Sequence, residues 1–185
     1  MSDQNDVRRS DALANRNKIL DAARDAFARS PDASLNSIAK LAGVGPGTLY
    51  RHFPNREALV IGVYRHEIEA LVTLAPKLTA QHPPVEAFRL WCDRLASYGR
   101  VKHGLTDVLH SAAAAPVHAE VYGPMVGAVG HLVTACQAVG AFRPDIEAED
   151  VLLLLAFLWR IKDPDADPSQ AERMLDLVIR GLEAR

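Results

Sequence analysis

Between Thr48 and His52 the stretch TLYRH places two hydroxyls, a guanidinium and an imidazole within five residues, and Arg56 follows one turn later. Such groups suit hydrogen bonding to a polyanion: arginine can take guanine bidentately, and Tyr, His and Thr can bond phosphate oxygens. Gly43, Gly45, Pro46 and Gly47 come just before. A glycine cluster can cradle a phosphate, break a helix or turn one helix against another. GVGPGT follows a helical pattern rather than a strand, has no Gly-Lys-Ser/Thr and lacks the spacing of a dinucleotide fingerprint, so both phosphate-loop readings fail. Bond-making chemistry finds no support either. His66-Glu67 lacks the second histidine of a zinc protease motif, no G-x-S-x-G occurs, and neither Cys92 nor Cys136 sits in a nucleophile signature. The expectation is no enzyme, no cofactor and no metal site.

The elements that position these residues are helical. No alternating pattern persists, whereas helical spacing recurs from end to end, which gives an all-α fold class. After a polar arm to about Asn15, Ile19, Ala23, Ala26 and Phe27 mark helix one. Ser34 is a candidate N-cap for a short second helix with Leu35, Ile38, Ala39 and Ala42 on its apolar side. Gly43 fits the left-handed position after that helix, with Val44 tucked beneath it. Pro46 starts a third helix at the position where its missing N–H has no helical partner. That helix must stop at Phe53, because Pro54 disfavours the α conformation in the residue before it. Asn55 then caps a long fourth helix. Two helices joined by almost no loop make a helix-turn-helix, with Leu49 and Phe53 inward and Thr48, Tyr50, Arg51 and His52 outward or sideways. Such a short second helix fits the DNA major groove.

The bulk charge of −2 hides an asymmetry: Met1–His66 carries +3 and the remainder −5. A basic front and an acidic back imply that only the front meets a polyanion. The opening residues hold no apolar targeting segment, and the longest apolar run, Val151–Trp159, is far below the roughly 18 to 20 residues that span a bilayer. A cytoplasmic protein without membrane contact is expected, and the two cysteines read as buried thiols, with a lone disulfide as the alternative.

At ILDAARDAFA and SLNSIAKLAGVGPGTLYRHFPNREAL, over about Asn15 to Val63, the sequence resembles the tetracycline-repressor (TetR) family of one-component regulators. The resemblance implies a homodimer on a palindromic operator of double-stranded DNA, released by a small-molecule effector, with residues 1–62 as DNA-binding domain and 63–185 as a helical ligand-binding and dimerisation domain. By motif position it implies backbone contacts at Thr48, Tyr50 and His52, a base-facing role for Arg51, and a phosphate contact at Arg56. Pro46 and Gly47 fall within the same DNA-facing helix start, where Gly45, Pro46 and Gly47 replace the longer side chains of other members. A DNA-binding regulator controlled by a protein partner, with no effector, is the alternative.

Beyond Val63 further helices are expected at about 84–102, 105–115, 118–140, 147–161 and 168–183. Val151, Leu154, Leu155 and Leu158 belong to a run that is apolar on every side of a helix, more than one core face requires. Paired with the amphipathic stripe Leu175, Val178, Ile179 and Leu182, it fits half of an intersubunit four-helix bundle, as in the resembled family, with a central helix of a monomeric bundle as the alternative. Gly123, Gly127 and Gly130 share one face, which either admits a neighbouring helix closely or leaves a cavity; Pro124 would kink or start that helix. Trp91, Tyr98, His110 and Met125 are candidate pocket residues. Gly127, His131, Phe142 and Trp159 complete that set, though core packing competes for each of the large side chains.

Overall fold

The computed structural model describes residues 2–103, 105–109, 111, 114–159 and 169–184, with the side chains of 2–9, 100–103, 106 and 159 left aside. The chain divides into two compact units, Met1–His66 with Gly104–Ala115, and Glu67–His103 with Pro116–Arg185. No strand occurs among the described residues; an isolated bridge joins Phe142 to Glu183.

The first unit begins with α1, Ser2–Arg29, followed by α2, Leu35–Leu41, α3, Pro46–His52, and the start of α4, Arg56–Gln81. The expected polar arm is instead helical from Ser2, which corrects the sequence reading. Between Ser2 and Arg29 no glycine or proline interrupts the backbone, so the helix set by Ile19, Leu20, Ala23 and Phe27 extends backwards through polar residues. The caps form as the sequence implies. The Ser34 hydroxyl accepts from the Ser37 N–H at 3.1 Å. Gly43 has φ +67°, its N–H donating to Lys40 O and that of Val44 to Ala39 O, the paired bonds of a Schellman motif. Pro46 opens α3, Phe53 ends it with extended dihedrals ahead of Pro54, and the Asn55 side chain accepts from Ala58 N–H at 2.8 Å. Ile19, Leu20, Phe27, Ile38, Leu49, Phe53, Leu59 and Val63 are buried together as the core of this unit. The short α6, Thr106–Leu109, belongs to it as well, and Ser111 donates its hydroxyl to Glu57 at 3.4 Å.

The second unit holds the rest of α4, α5 (Pro84–His103), α7 (Ala115–Ala138), α8 (Ala148–Leu154), a 3-10 turn over Leu155–Trp159, and α9 (Gln170–Leu182). A helix over 105–115 is expected; the described α6 covers Thr106–Leu109, and a new helix begins at Ala115 with Pro116 in its first turn, where proline is well placed. Pro124 lies inside α7 rather than at its start. Gly140, at φ +72°, ends α7 with the same paired bonds as Gly43, to Gln137 O and Cys136 O. The single helix expected over 147–161 tightens after Leu154. With three residues per turn, Leu155 and Leu158 stack on one side, and both are buried where the 3-10 turn meets α5. The core of this unit is Leu71, Phe88, Trp91, Leu95, Val129, Leu132, Phe142, Val151 and Ile179, with Phe88 and Phe142 edge to face at 5.3 Å. Among the described residues no helix is long and apolar enough to cross a membrane.

Candidate nucleic-acid interface

The turn between α2 and α3 fixes which side of α3 faces outward. Leu49 and Phe53, four apart, are buried, and this turns Tyr50 and Arg51 to the surface with Thr48 and His52 half-buried at its flanks. Pro46 and Gly47 are exposed at the start of the helix. Arg51 is drawn back along its own helix: Nε donates to Gly47 O and an Nη to Thr48 Oγ1, both at 3.2 Å. This arrangement presents donors and acceptors from one rigid turn of helix, as base edges and phosphates require.

Arg56, half-buried at the start of α4, is engaged within the protein. One Nη donates to Ala33 O at 2.9 Å, the other donates to Pro31 O, and the guanidinium lies 4.8 Å from the centre of the Phe27 ring. These contacts clamp the start of α4 to the α1–α2 loop and engage the guanidinium to which the resemblance gives a phosphate contact. Two carbonyls from an irregular loop offer a fork-shaped cation better hydrogen bonds than open solvent does. On the other side of the unit, His66 Nε2 lies 3.5 Å from the Asp21 carboxylate, joining α4 to α1.

Gly62 allows α4 to pass close behind the C-terminal end of α3. A Cβ there would stand 2.7 Å from Phe53 Cε1 and 3.2 Å from Leu20 Cδ2, against a ring and a side chain that are both buried. Gly62→Ala is expected to cost about 1 to 2 kcal/mol, overpacking outweighing the gain in helix propensity. Because Phe53 caps α3, DNA affinity should fall as well; thermal melts and operator titrations of the variant check both effects.

Residues 19–63 match the family model described as bacterial regulatory proteins, tetR family, and residues 83–184 match the SbtR-like transcriptional regulator C-terminal domain of the same family. The chain belongs to the TetR family of transcriptional regulators. A TetR regulator from Streptomyces coelicolor is similar over 91% of this chain and 98% of its own, at 40% identity and a TM-score of 0.82. A TetR protein from Mycobacterium vanbaalenii covers 95% and 99% at 30% identity, with a TM-score of 0.75. An HTH-type regulator of Staphylococcus aureus is 31% identical over 93 residues, which span 49% of this chain and 50% of that protein. The Escherichia coli regulator UidR is 36% identical over 66 residues, 35% of this chain and 34% of its own length. The chain thus spans about half or less of these two relatives, and the likeness to UidR is confined to about a third of each chain. TetR-family proteins are DNA-binding transcription regulators and not enzymes.

In the second unit of this TetR-family chain the candidate pocket residues separate. Trp91, Tyr98, Met125 and Phe142 are buried, and Trp91 donates its indole N–H to Leu71 O at 2.9 Å. His131 is exposed, its Nε2 2.7 Å from Thr79 Oγ1. His110 and the side chain of Trp159 lie outside the described residues. At Gly123 and Gly127, both exposed, an added Cβ would meet nothing within 4 Å, so neither admits a helix closely. At Gly130 a Cβ would stand 3.4 Å from that of Ala148, so close packing holds there alone. Core packing decides which way the helix turns, and it turns Val121, Met125, Val129 and Leu132 inward.

The dimerisation candidates are redistributed by the same rule. Val151, Leu155, Leu158, Leu175, Ile179 and Leu182 are buried within the protomer itself, so they have little surface to offer a partner. Val178 is half-buried. Leu154 stays 53% exposed and is joined by two leucines that the sequence reading did not single out, Leu153 at 66% and Leu177 at 69%. Their apolar type is visible in the sequence; their outward direction is set by which neighbours on α8 and α9 pack inward, Val151, Leu152, Leu175 and Ile179 among them.

One buried charge in this unit also escaped sequence reasoning. Glu67 is 1% exposed and accepts from Arg94 Nη2 at 2.6 Å. Glu67 stands in the heptad-like run of α4 between Tyr64 and Leu71, and only packing tells that its face is the inner one. Burial pushes the Cys92 thiol well above its usual range and Cys136 to about 11, so both stay protonated and unreactive at neutral pH.

Proposed function

We propose that the chain is a ligand-responsive repressor that binds a palindromic operator as a homodimer in the cytoplasm and is released by a small-molecule effector. The observation that carries the DNA half is the outward set Thr48, Tyr50, Arg51 and His52, held by the buried Leu49 and Phe53 on a helix that follows a tight Gly43 turn. Residues 1–62 serve as the reading head and 63–185 as the part that senses and dimerises. A dimer must hold its two recognition helices about 34 to 36 Å apart, or a multiple, to enter successive major grooves. Leu153, Leu154 and Leu177 support the dimer half, as three exposed leucines on consecutive helices of one unit.

Titration of the wild-type protein against the two-fold-symmetric sequence upstream of its own gene tests the reading, with expected stoichiometry of two chains per site. Leu154→Glu is expected to give a folded monomer with operator affinity lowered at least tenfold, since the side chain already stands in solvent in the protomer. Sedimentation at micromolar concentration reads the mass; a wild-type monomer would remove the dimer from the proposal. For the sensor half, apolar and amphipathic compounds that raise the melting temperature should also dissociate the operator complex. A protein partner alone would control the chain if no such compound did both.

A further inference from the structure

The helical start of α1 changes what lies beside the recognition helix. Asp11, Ala12 and Asn15 fall on one face of α1, and Thr48, Arg51 and His52 on one face of α3; the six line a groove of about 330 Å³. The neighbouring Arg16 lies with its guanidinium carbon 5.6 Å from the centre of the Phe53 ring, which ties this stretch of α1 to the end of α3. Leu49 and Phe53 point away into the core, so the groove opens along the side of α3 that carries its outward polar groups.

Its charge is unusual for a surface that meets a polyanion. Arg51 contributes one positive charge and Asp11 one negative, and two of the Arg51 donors are already engaged by Gly47 O and Thr48 Oγ1. A phosphate needs surplus positive charge, and a carboxylate beside it repels it, more strongly at the surface of a protein than in bulk water. A base edge carries no net charge and meets no such repulsion. Among base edges in the major groove, the cytosine N4 amino group is a donor that aspartate accepts directly.

We propose that the groove between α1 and α3 is a base-reading subsite and that Asp11 is a specificity residue there, accepting a hydrogen bond from the N4 amino group of a cytosine. The inference rests on the DNA-reading role of α3 and adds a second helix to it. Each half-site is then read by two helices, which offsets the scarcity of long side chains at Gly45, Pro46 and Gly47. Asn15, one turn further along α1, borders the same subsite with an amide that both donates and accepts.

Selection from a pool of random duplexes, using the full chain as wild type and as Asp11→Ala, Asp11→Asn and Arg51→Ala, tests it. Asp11 is exposed, so none of its variants should fail to fold. The wild type should enrich a two-fold-symmetric motif with cytosine at one position of each half-site. Asp11→Ala should lose about tenfold of the preference at that position and keep the rest of the motif. Asp11→Asn should move the preference from cytosine to adenine, because asparagine bonds adenine N6 and N7. Arg51→Ala should relax a different position. If Asp11→Ala enriched the unchanged motif and bound every duplex more tightly by the same factor, Asp11 would only repel the backbone and the proposal would fall. If the wild type enriched no motif, the DNA-reading role itself would fall with it, and the two failures are thereby distinguished.

Discussion

Arg94→Ala is expected to destabilise the second unit by about 3 kcal/mol, the cost of removing one partner from a buried ion pair. Glu67 is 1% exposed while the Arg94 side chain keeps 30% of its surface, so the charge at risk is the carboxylate. Moving a carboxylate out of water costs several kcal/mol, and the 2.6 Å contact from the guanidinium offsets that cost directly. The conservative Arg94→Lys should recover only part of the loss, because an ammonium on a flexible stem loses more freedom to reach the same oxygen. Glu67→Leu with Arg94→Met should restore most of it, since an apolar pair of similar volume carries no charge into the interior. Urea denaturation of the four proteins measures all of this. A loss below about 1 kcal/mol for Arg94→Ala would place Glu67 in a better-solvated setting than its burial implies.

How legible these features were depends on the range over which they are decided. Ser34, Gly43, Pro46 and Asn55 act within five residues of themselves, so their capping and turning roles follow from local chemistry and the structure has them where the sequence implies. Arg56 sits on a helix start that invites a phosphate, yet its guanidinium goes to carbonyls 23 and 25 residues away. No local pattern encodes such a choice. The helical state from Ser2 to Asn15 escapes local reading for a related reason: a stretch without an apolar stripe reads as an arm, although nothing in it breaks a helix that Ile19 to Phe27 already nucleate. In α7 and α8 the apolar residues are too evenly spread to define a face, and only the packed neighbours decide that Gly127, Leu153 and Leu154 look outward.

The two arginines that flank Pro54 should therefore divide their labour between reading and holding the fold, rather than between reading and holding DNA. Arg51→Ala is expected to cost about 1 to 3 kcal/mol per half-site on the preferred operator, less on unrelated duplex, and to leave the melting temperature unchanged. Its two contacts are to its own helix and are exposed, so their loss costs the fold little. Arg56→Ala removes two charge-assisted hydrogen bonds and the contact with the Phe27 ring, and should lower the stability of the first unit by about 2 kcal/mol. The loop carbonyls of Pro31 and Ala33 would turn to water, which keeps the loss from being larger. Salt separates the two kinds of role. A lost phosphate contact lowers the slope of log K against log salt by about 0.9 per half-site, whereas a loosened scaffold weakens binding with the slope retained. Arg56→Ala should therefore melt earlier with an unchanged salt slope, and Arg56→Lys should recover less than half of the stability because an ammonium cannot fork between two carbonyls. A slope reduced by about one, with full rescue by lysine, would return Arg56 to the DNA backbone and make the clamp a feature of the free protein alone.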